Sequence, residues 1–398
     1  MTSDRQVDQT KTLPPHRGRI LFLIDSLGMG GAERLMPITL AALRRQGFSV
    51  RVCALQLRDG NPLAAVLREA GIEVDLVPLS RLRDLSGVAR LYAYLRGQSV
   101  DLVHTQLEWS NILGPAMSRA LGLPSVATLH NEAELEGKAA RRLRLMQFVL
   151  RHLSARIICV CEPLRKDEMV RFGIPAEKLV TLHNGIDLAA FREATPDQRR
   201  EIRRSFNLPE RAPVIITVAV LRPQKGVSTM LDAMPEILRR VPDAHYLIVG
   251  DGPLRADLTA AAAPFGGRVV FAGLRMDIPA VLQAADLFVL PSLFDPLPTV
   301  LMEAMAAALP IVATAVDGVP EMITPEMNGV LVPPNAPAAL ADACARLLSA
   351  PDAARAMGAR GRVVAERRFS ASAHASRLGA LYDQAIGRGR GVRCASPS

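Results

Sequence analysis

Asp295 and Glu303 stand with seven residues between them in DLFVLPSLFDPLPTVLMEAMAAALPIVAT, the stretch 286–314. The apolar run 287–290 reads as a buried strand, Pro291-Ser292 ends it, and a helix rich in Met, Ala and Leu follows. Pro296 and Pro298 have a fixed φ that suits a first helical turn, so the pattern predicts Asp295 as the N-cap and Glu303 about two turns in. A helix N-terminus beyond the carboxyl end of a parallel strand is where open α/β sheets receive ligands, anions above all. On residue types alone, Asp295 reads equally as a plain cap and Glu303 as a solvated or ion-paired residue. The apolar neighbours Leu301, Met302, Ala304 and Met305 place Glu303 on a core-facing side, where a carboxylate needs a partner.

Arg222 and Lys225 lie in VLRPQKG, between a strand and the helix expected over 227–240. Two cations beside a helix N-terminus form a natural diphosphate clamp, set against their reading as exposed surface charges. His104 and His130 each end a strand, in DLVHT and ATLHN. His130, followed by polar Asn131, reads as functional; His104 is open between function and structure; His183, before the turn pair Asn184-Gly185, reads as structural. Gly28, Gly30 and Gly31 follow the first strand, where glycine permits a sharp bend or close approach to a ligand. Their spacing is not the dinucleotide fingerprint, and a simple tight turn is the equal alternative.

These residues need a scaffold that delivers strand ends to one place, and the chain has its rhythm. Short β-branched runs at 19–25, 50–57, 73–79, 101–105, 125–129, 156–161 and 179–182 alternate with helical stretches. After a charge-dense segment at 189–211 the alternation restarts at 214–220, 245–249, 269–272, 287–290, 310–313 and 330–332. Continuous apolar strands separated by helices mean parallel sheets covered on both faces. The expected organisation is α/β: a lead-in at 1–18, doubly wound Rossmann-like domains at 19–190 and 191–369 facing a cleft, a helix at 370–387 crossing back to the first domain, and a flexible tail at 388–398.

Composition narrows the partners. The net charge of +9 suits an anionic membrane surface or a phosphorylated small molecule, while 4% aromatic residues and no zinc-ligand spacing argue against nucleic acid. Cys53, Cys159, Cys161, Cys344 and Cys394 are odd in number and scattered, as buried thiols in a reducing compartment are; a metal site at Cys159 and Cys161 is the weaker reading. No apolar run approaches the roughly 20 residues of a membrane span, and the polar N-terminus has no signal-peptide core, so the chain is expected in the cytoplasm. The basic stretch 138–156 reads either as an amphipathic helix resting on a membrane or as a surface helix packing its apolar stripe inward.

GGAER (30–34), LHNGID (182–187), LRPQKG (221–226), LIVGDGPLR (247–255), the Asp295-to-Glu303 stretch with PTVLMEAMA, and DGVPEMI (317–323) together resemble the group 1, or family 4, retaining glycosyltransferases of GT-B fold. The resemblance covers about 19–386. It implies transfer of a sugar from a nucleoside-diphosphate donor with retention of anomeric configuration and no divalent metal or other cofactor. By it Arg222 and Lys225 hold the diphosphate and stabilise the leaving group. Glu303 binds the donor ribose, Asp295 contacts the transferred sugar beside the backbone of Leu297, Pro298 and Thr299, Gly30 admits the diphosphate, and His130 lies beside the reacting sugar. The family usually has Glu-Gly where this chain has Asp295-Pro296, and often Ser at Cys161. A lipid-linked saccharide at the inner membrane face, in surface polysaccharide synthesis, is the implied acceptor. The alternatives are a nucleotide-sugar 2-epimerase and a catalytically degenerate sugar-nucleotide-binding scaffold.

Overall fold

The computed structural model describes residues 16–394 apart from 29, 59 and 131–136, with the backbone alone at 32, 137–139 and 388–394. Most of the expected lead-in, Asn131 and the last four residues of the expected tail lie outside the described residues.

Strands form where the β-branched runs predict them. The first sheet takes β1 (Gly18–Ile24), β2 (Phe48–Ala54), β3 (Glu73–Leu76), β4 (Leu102–Gln106), β5 (Ser125–Leu129), β6 (Arg156–Cys159) and β7 (Leu179–Thr181). The second takes β8 (Val214–Val218), β9 (His245–Val249), β10 (Val269–Gly273), β11 (Leu287–Leu290), β12 (Ile311–Thr314) and β13 (Val330–Val332). Their orders are β3-β2-β1-β4-β5-β6-β7 and β10-β9-β8-β11-β12-β13. Each sheet's first strand therefore lies inside it, flanked in parallel by its second and fourth strands. That is the Rossmann order, whose reversal opens a crevice at the strand ends. β4, β5, β8 and β9 are buried at every residue, as strands covered by helices on both faces must be.

By their contacts the residues divide into two compact units: Met1–Thr128 with Leu135–Ile157 and Ala375–Ser398, and Leu129–Glu134 with Ile158–His374. In the first, Leu21, Leu23, Cys53, Leu91, Leu95 and Val103 form a core. In the second, Ile215, Met230, Ile237, Tyr246, Val289 and Leu340 do so. The helix Gly137–Leu153 buries Leu143, Met146, Val149 and Leu150 and exposes Leu145 and Phe148 among its arginines. The basic stretch expected to run helical to 156 stops earlier, because Arg156 already opens β6.

The last helix, Ala371–Cys394, begins at the boundary of the second unit and continues in the first, where it places Tyr382 fully inside the core. The Tyr382 hydroxyl meets His104 Nδ1 at 2.5 Å, and His104 Nε2 meets Thr128 Oγ1 at 2.7 Å, so His104 is structural. In the second unit, Asp286 fixes the start of β11 against β8. Its carboxylate accepts the Val214 N–H at 2.8 Å and Arg203 Nη2 at 2.7 Å, and its N–H donates to Val214 O at 2.8 Å. Arg203, buried on the helix Pro196–Ser205, also donates to the carbonyls of Ala284, Glu210 and Ala212.

Two stability changes follow. Tyr382→Phe removes the hydroxyl that meets the buried His104 Nδ1 and should cost about 1–3 kcal/mol; Arg203→Leu leaves Arg199 on Asp286 but takes the buried donor from the carbonyls of Ala284, Glu210 and Ala212, and should cost about 1–3 kcal/mol. Urea-unfolding midpoints of the purified variants check both.

Candidate active site

Three strand-to-helix loops meet at the carboxyl ends of β8, β11 and β12, which are neighbours in the second sheet. The first carries Arg222 and Lys225 and ends at Gly226, the N-cap of the helix Val227–Arg240. Gly226 has φ +60° and packs so closely on the Pro291 carbonyl that a Cβ would collide with it, so only glycine serves. From the second loop, Leu293 N donates to Gln224 O at 2.8 Å and ties the two loops together. The result is an ion pair: Lys225 Nζ lies 2.6 Å from Asp295 Oδ2, with Ser292 Oγ at 3.4 Å from the same oxygen.

Asp295 is not a helix cap. The helix after β11 is Thr299–Ala306, capped by Pro298, and Glu303 is its fifth residue, little more than one turn in. The prolines that suggested an earlier start delay it. Asp295 and Leu297 each precede a proline, which steers both away from the α region. The carboxylate is thereby released from capping and turned to Lys225. Burial pushes the Asp295 carboxyl up from its ordinary value, and the Lys225 ammonium and Ser292 hydroxyl oppose that rise. Asp317, half-buried after β12, accepts the Asp295 N–H at 2.6 Å; burial raises its carboxyl too, against the pull of that hydrogen bond.

The structure thus brings Lys225 and Asp295 into contact and sets Arg222, exposed and without an ion pair among the described residues, in the same loop. Leu297 and Pro298 are buried in the loop, Thr299 opens the helix, and Glu303 is half-buried between Met302 and Ala304. His130 follows β5, and its buried Nε2 has no hydrogen-bond partner among the described residues. Burial pushes its imidazole down to about 4, with His374 a lesser contributor. In the first unit, Gly30 lies under the Glu33 carboxylate, which a Cβ there would have to displace. His183 is structural: its Nε2 meets Glu321 Oε2 at 2.6 Å, and Glu321 Oε1 accepts the Glu162 N–H. Cys53, Cys159, Cys161 and Cys344 are buried and form no disulfide among the described residues, and burial raises Cys53 to about 12.

Ser292, Asp317 and Gln224 were not singled out by residue type. Gln224 acts through its carbonyl and Asp317 on a backbone N–H 22 positions away, neither of which a side-chain pattern reveals. The signals for Asp317 were the Asp-Gly turn pair shortly after a strand and its place at the head of DGVPEMI.

Two doubly wound sheets of one shared order, with cations and carboxylates gathered at the switch point of the second, define a glycosyltransferase of GT-B architecture. The chain belongs to the group 1 glycosyltransferases of family 4: residues 29–190 match the model described as Glycosyltransferase Family 4, and residues 198–364 the one described as Glycosyl transferases group 1. It is 30% identical to the alpha-D-kanosaminyltransferase of Streptomyces kanamyceticus, over 76% of this chain and 78% of that one. It is 27% identical to the Escherichia coli UDP-Gal:alpha-D-GlcNAc-diphosphoundecaprenol alpha-1,3-galactosyltransferase, over 76% and 81%. Its fold matches that of Anabaena Alr3699/HepE in complex with UDP, with a TM-score of 0.81 at 22% identity over 92% of this chain and all of the other. Among the described residues no helix is long and apolar enough to cross a membrane.

The His130 shift has a signed consequence. Its folded-state value lies below the unfolded 6.5, so the unfolded chain binds the extra proton between about pH 4 and 6.5, and stability falls as pH drops through that window. His130→Gln should flatten that part of the profile, read from urea midpoints at pH 7 and pH 5.

Proposed function

We propose that this glycosyltransferase moves a sugar from a nucleoside-diphosphate donor to a saccharide acceptor with retention, and that it needs no metal to do so. The observation that carries the reading is the Lys225–Asp295 pair, 2.6 Å apart at the carboxyl ends of β8 and β11. An ammonium beside a helix N-terminus suits a diphosphate, and a carboxylate against it suits the hydroxyls of the sugar that the diphosphate carries. The UDP complex of the Anabaena structure and the UDP-Gal in the name of the Escherichia coli relative support a nucleotide-sugar donor.

The chemistry follows from charge. As the bond from the anomeric carbon to the phosphate oxygen breaks, its electron pair passes to the departing diphosphate. Lys225, Arg222 and the N–H groups opening the helix Val227–Arg240 are preorganised to stabilise that charge, which removes the need for a divalent cation. An acceptor hydroxyl approaches from the same face, its oxygen bonds the anomeric carbon, and its proton goes to the departing phosphate. Glu303 takes the ribose hydroxyls, with the main chain of Leu297 to Thr299 beside the sugar. His130, neutral at pH 7, offers an uncharged ring nitrogen to the reacting sugar.

The acceptor we favour is a lipid-linked saccharide, like the alpha-D-GlcNAc-diphosphoundecaprenol in the name of the Escherichia coli relative, and the setting we favour is surface polysaccharide synthesis. Exposed Leu145 and Phe148 among Arg141, Arg144 and Arg151 suit peripheral docking on an anionic inner membrane face from the cytoplasm.

A thermal-shift screen against UDP-, GDP-, ADP- and dTDP-sugars, with and without EDTA, tests the donor reading. One nucleotide class should raise the melting midpoint in EDTA, and Lys225→Ala and Glu303→Ala should abolish the shift. No shift with any donor, or one that survives both substitutions, would refute it. Epimerised sugar from a UDP-sugar incubated alone would instead favour the 2-epimerase, and tight donor binding with no hydrolysis or transfer the inactive scaffold.

A further inference from the structure

Asp317 sits just after β12, at φ +43°, a left-handed conformation that costs a non-glycine residue about 1 kcal/mol or more. Its side chain gains a particular contact there. Asp317 Oδ2 accepts the Asp295 N–H at 2.6 Å, while the next residue, Gly318, donates its own N–H to Pro296 O at 3.1 Å. A Cβ on Gly318 would collide with that carbonyl. The Asp295-Pro296 dipeptide is therefore gripped at its first N–H and its last C=O by a single neighbouring loop.

The grip matters because Lys225 and Ser292 hold only the Asp295 side chain, not the main chain of this dipeptide. Pro296 and Pro298 have no N–H, and the helix that could have anchored the turn begins only at Thr299. Asp295 is also a short acid, so the position of its carboxylate follows its backbone closely. Among the described residues Lys225 forms its ion pair with Asp295 and acts on Asp317 only through its field.

We propose that Asp317 is a positioning residue for the donor sugar: by holding the Asp295 N–H it sets the Asp295 carboxylate against the transferred sugar, and it takes no part in holding the nucleotide. This assignment rests on the donor site described above and names a residue for its sugar end. It predicts a split. Loosening the Asp295 backbone weakens recognition of the sugar moiety and does not weaken the diphosphate clamp, whose cations stand on the β8 loop.

The test is calorimetric titration of the full chain with UDP and UDP-glucose, and with GDP and GDP-mannose. Asp317→Gly removes the acceptor while favouring the observed φ. For the pair that wild type binds, its Kd for the nucleoside diphosphate should not rise by more than about twofold, and its Kd for the nucleotide sugar should rise about tenfold, as for one lost charge-assisted hydrogen bond. Asp317→Asn keeps an acceptor oxygen and tolerates the left-handed backbone, so it should restore sugar binding to within about threefold. Equal loss for nucleotide and nucleotide sugar, or loss of neither, overturns the assignment, as does a glycine variant without a cooperative melt. Wild type that binds neither diphosphate overturns the donor site itself.

Discussion

The site depends on one ion pair between neighbouring loops, Lys225 to Asp295. A buried carboxylate is costly without a counter-charge, and burial alone would drive Asp295 toward its neutral form. Lys225 keeps the charged form within reach, but only because the two loops stay in register. Gly226 lets the β8 loop close on Pro291, Gln224 and Leu293 tie the loops, and Asp286, held by Arg203, fixes β11 beside β8 below them. Much of the second unit's polar interior thus serves one 2.6 Å contact.

That contact also explains how a site of opposite charges could act on an anionic donor. An ammonium already paired with a carboxylate is partly neutralised, and a diphosphate arriving beside it competes for the same cation. In the proposed reaction, Lys225 turns to the diphosphate and the released Asp295 oxygen meets the sugar hydroxyls. The carboxylate then acts twice, as the lysine's partner in the structure and as the sugar's ligand once donor is bound. Asp317 keeps its main chain still through the exchange.

The fold was legible because its signals are local and repeated: apolar β-branched runs of strand length, separated by helical stretches, admit little besides two covered parallel sheets. Arg222 and Lys225 were legible because chain order alone puts a strand-to-helix loop at the carboxyl end of its strand. The local geometry of Asp295 is not legible, since two prolines that suit a first helical turn also restrict the residues before them, and that restriction wins and postpones the helix to Thr299. His104 could not be resolved, because its partner Tyr382 lies 278 positions away on the last helix. Asp317 was missed for the same reason at shorter range: a side chain that bonds a backbone N–H leaves no pairing pattern in the sequence.

The most direct measurement is a double-mutant cycle on UDP affinity with wild type, Lys225→Ala, Asp295→Asn and the double variant. If Lys225 is shared between Asp295 and the diphosphate, Asp295→Asn alone should tighten UDP several-fold, Lys225→Ala should weaken it, and the asparagine should change nothing once the lysine is gone, a coupling of about 1 kcal/mol or more. If Asp295→Asn has the same effect with and without Lys225, the pair is not the donor's diphosphate site, and the account built on it fails.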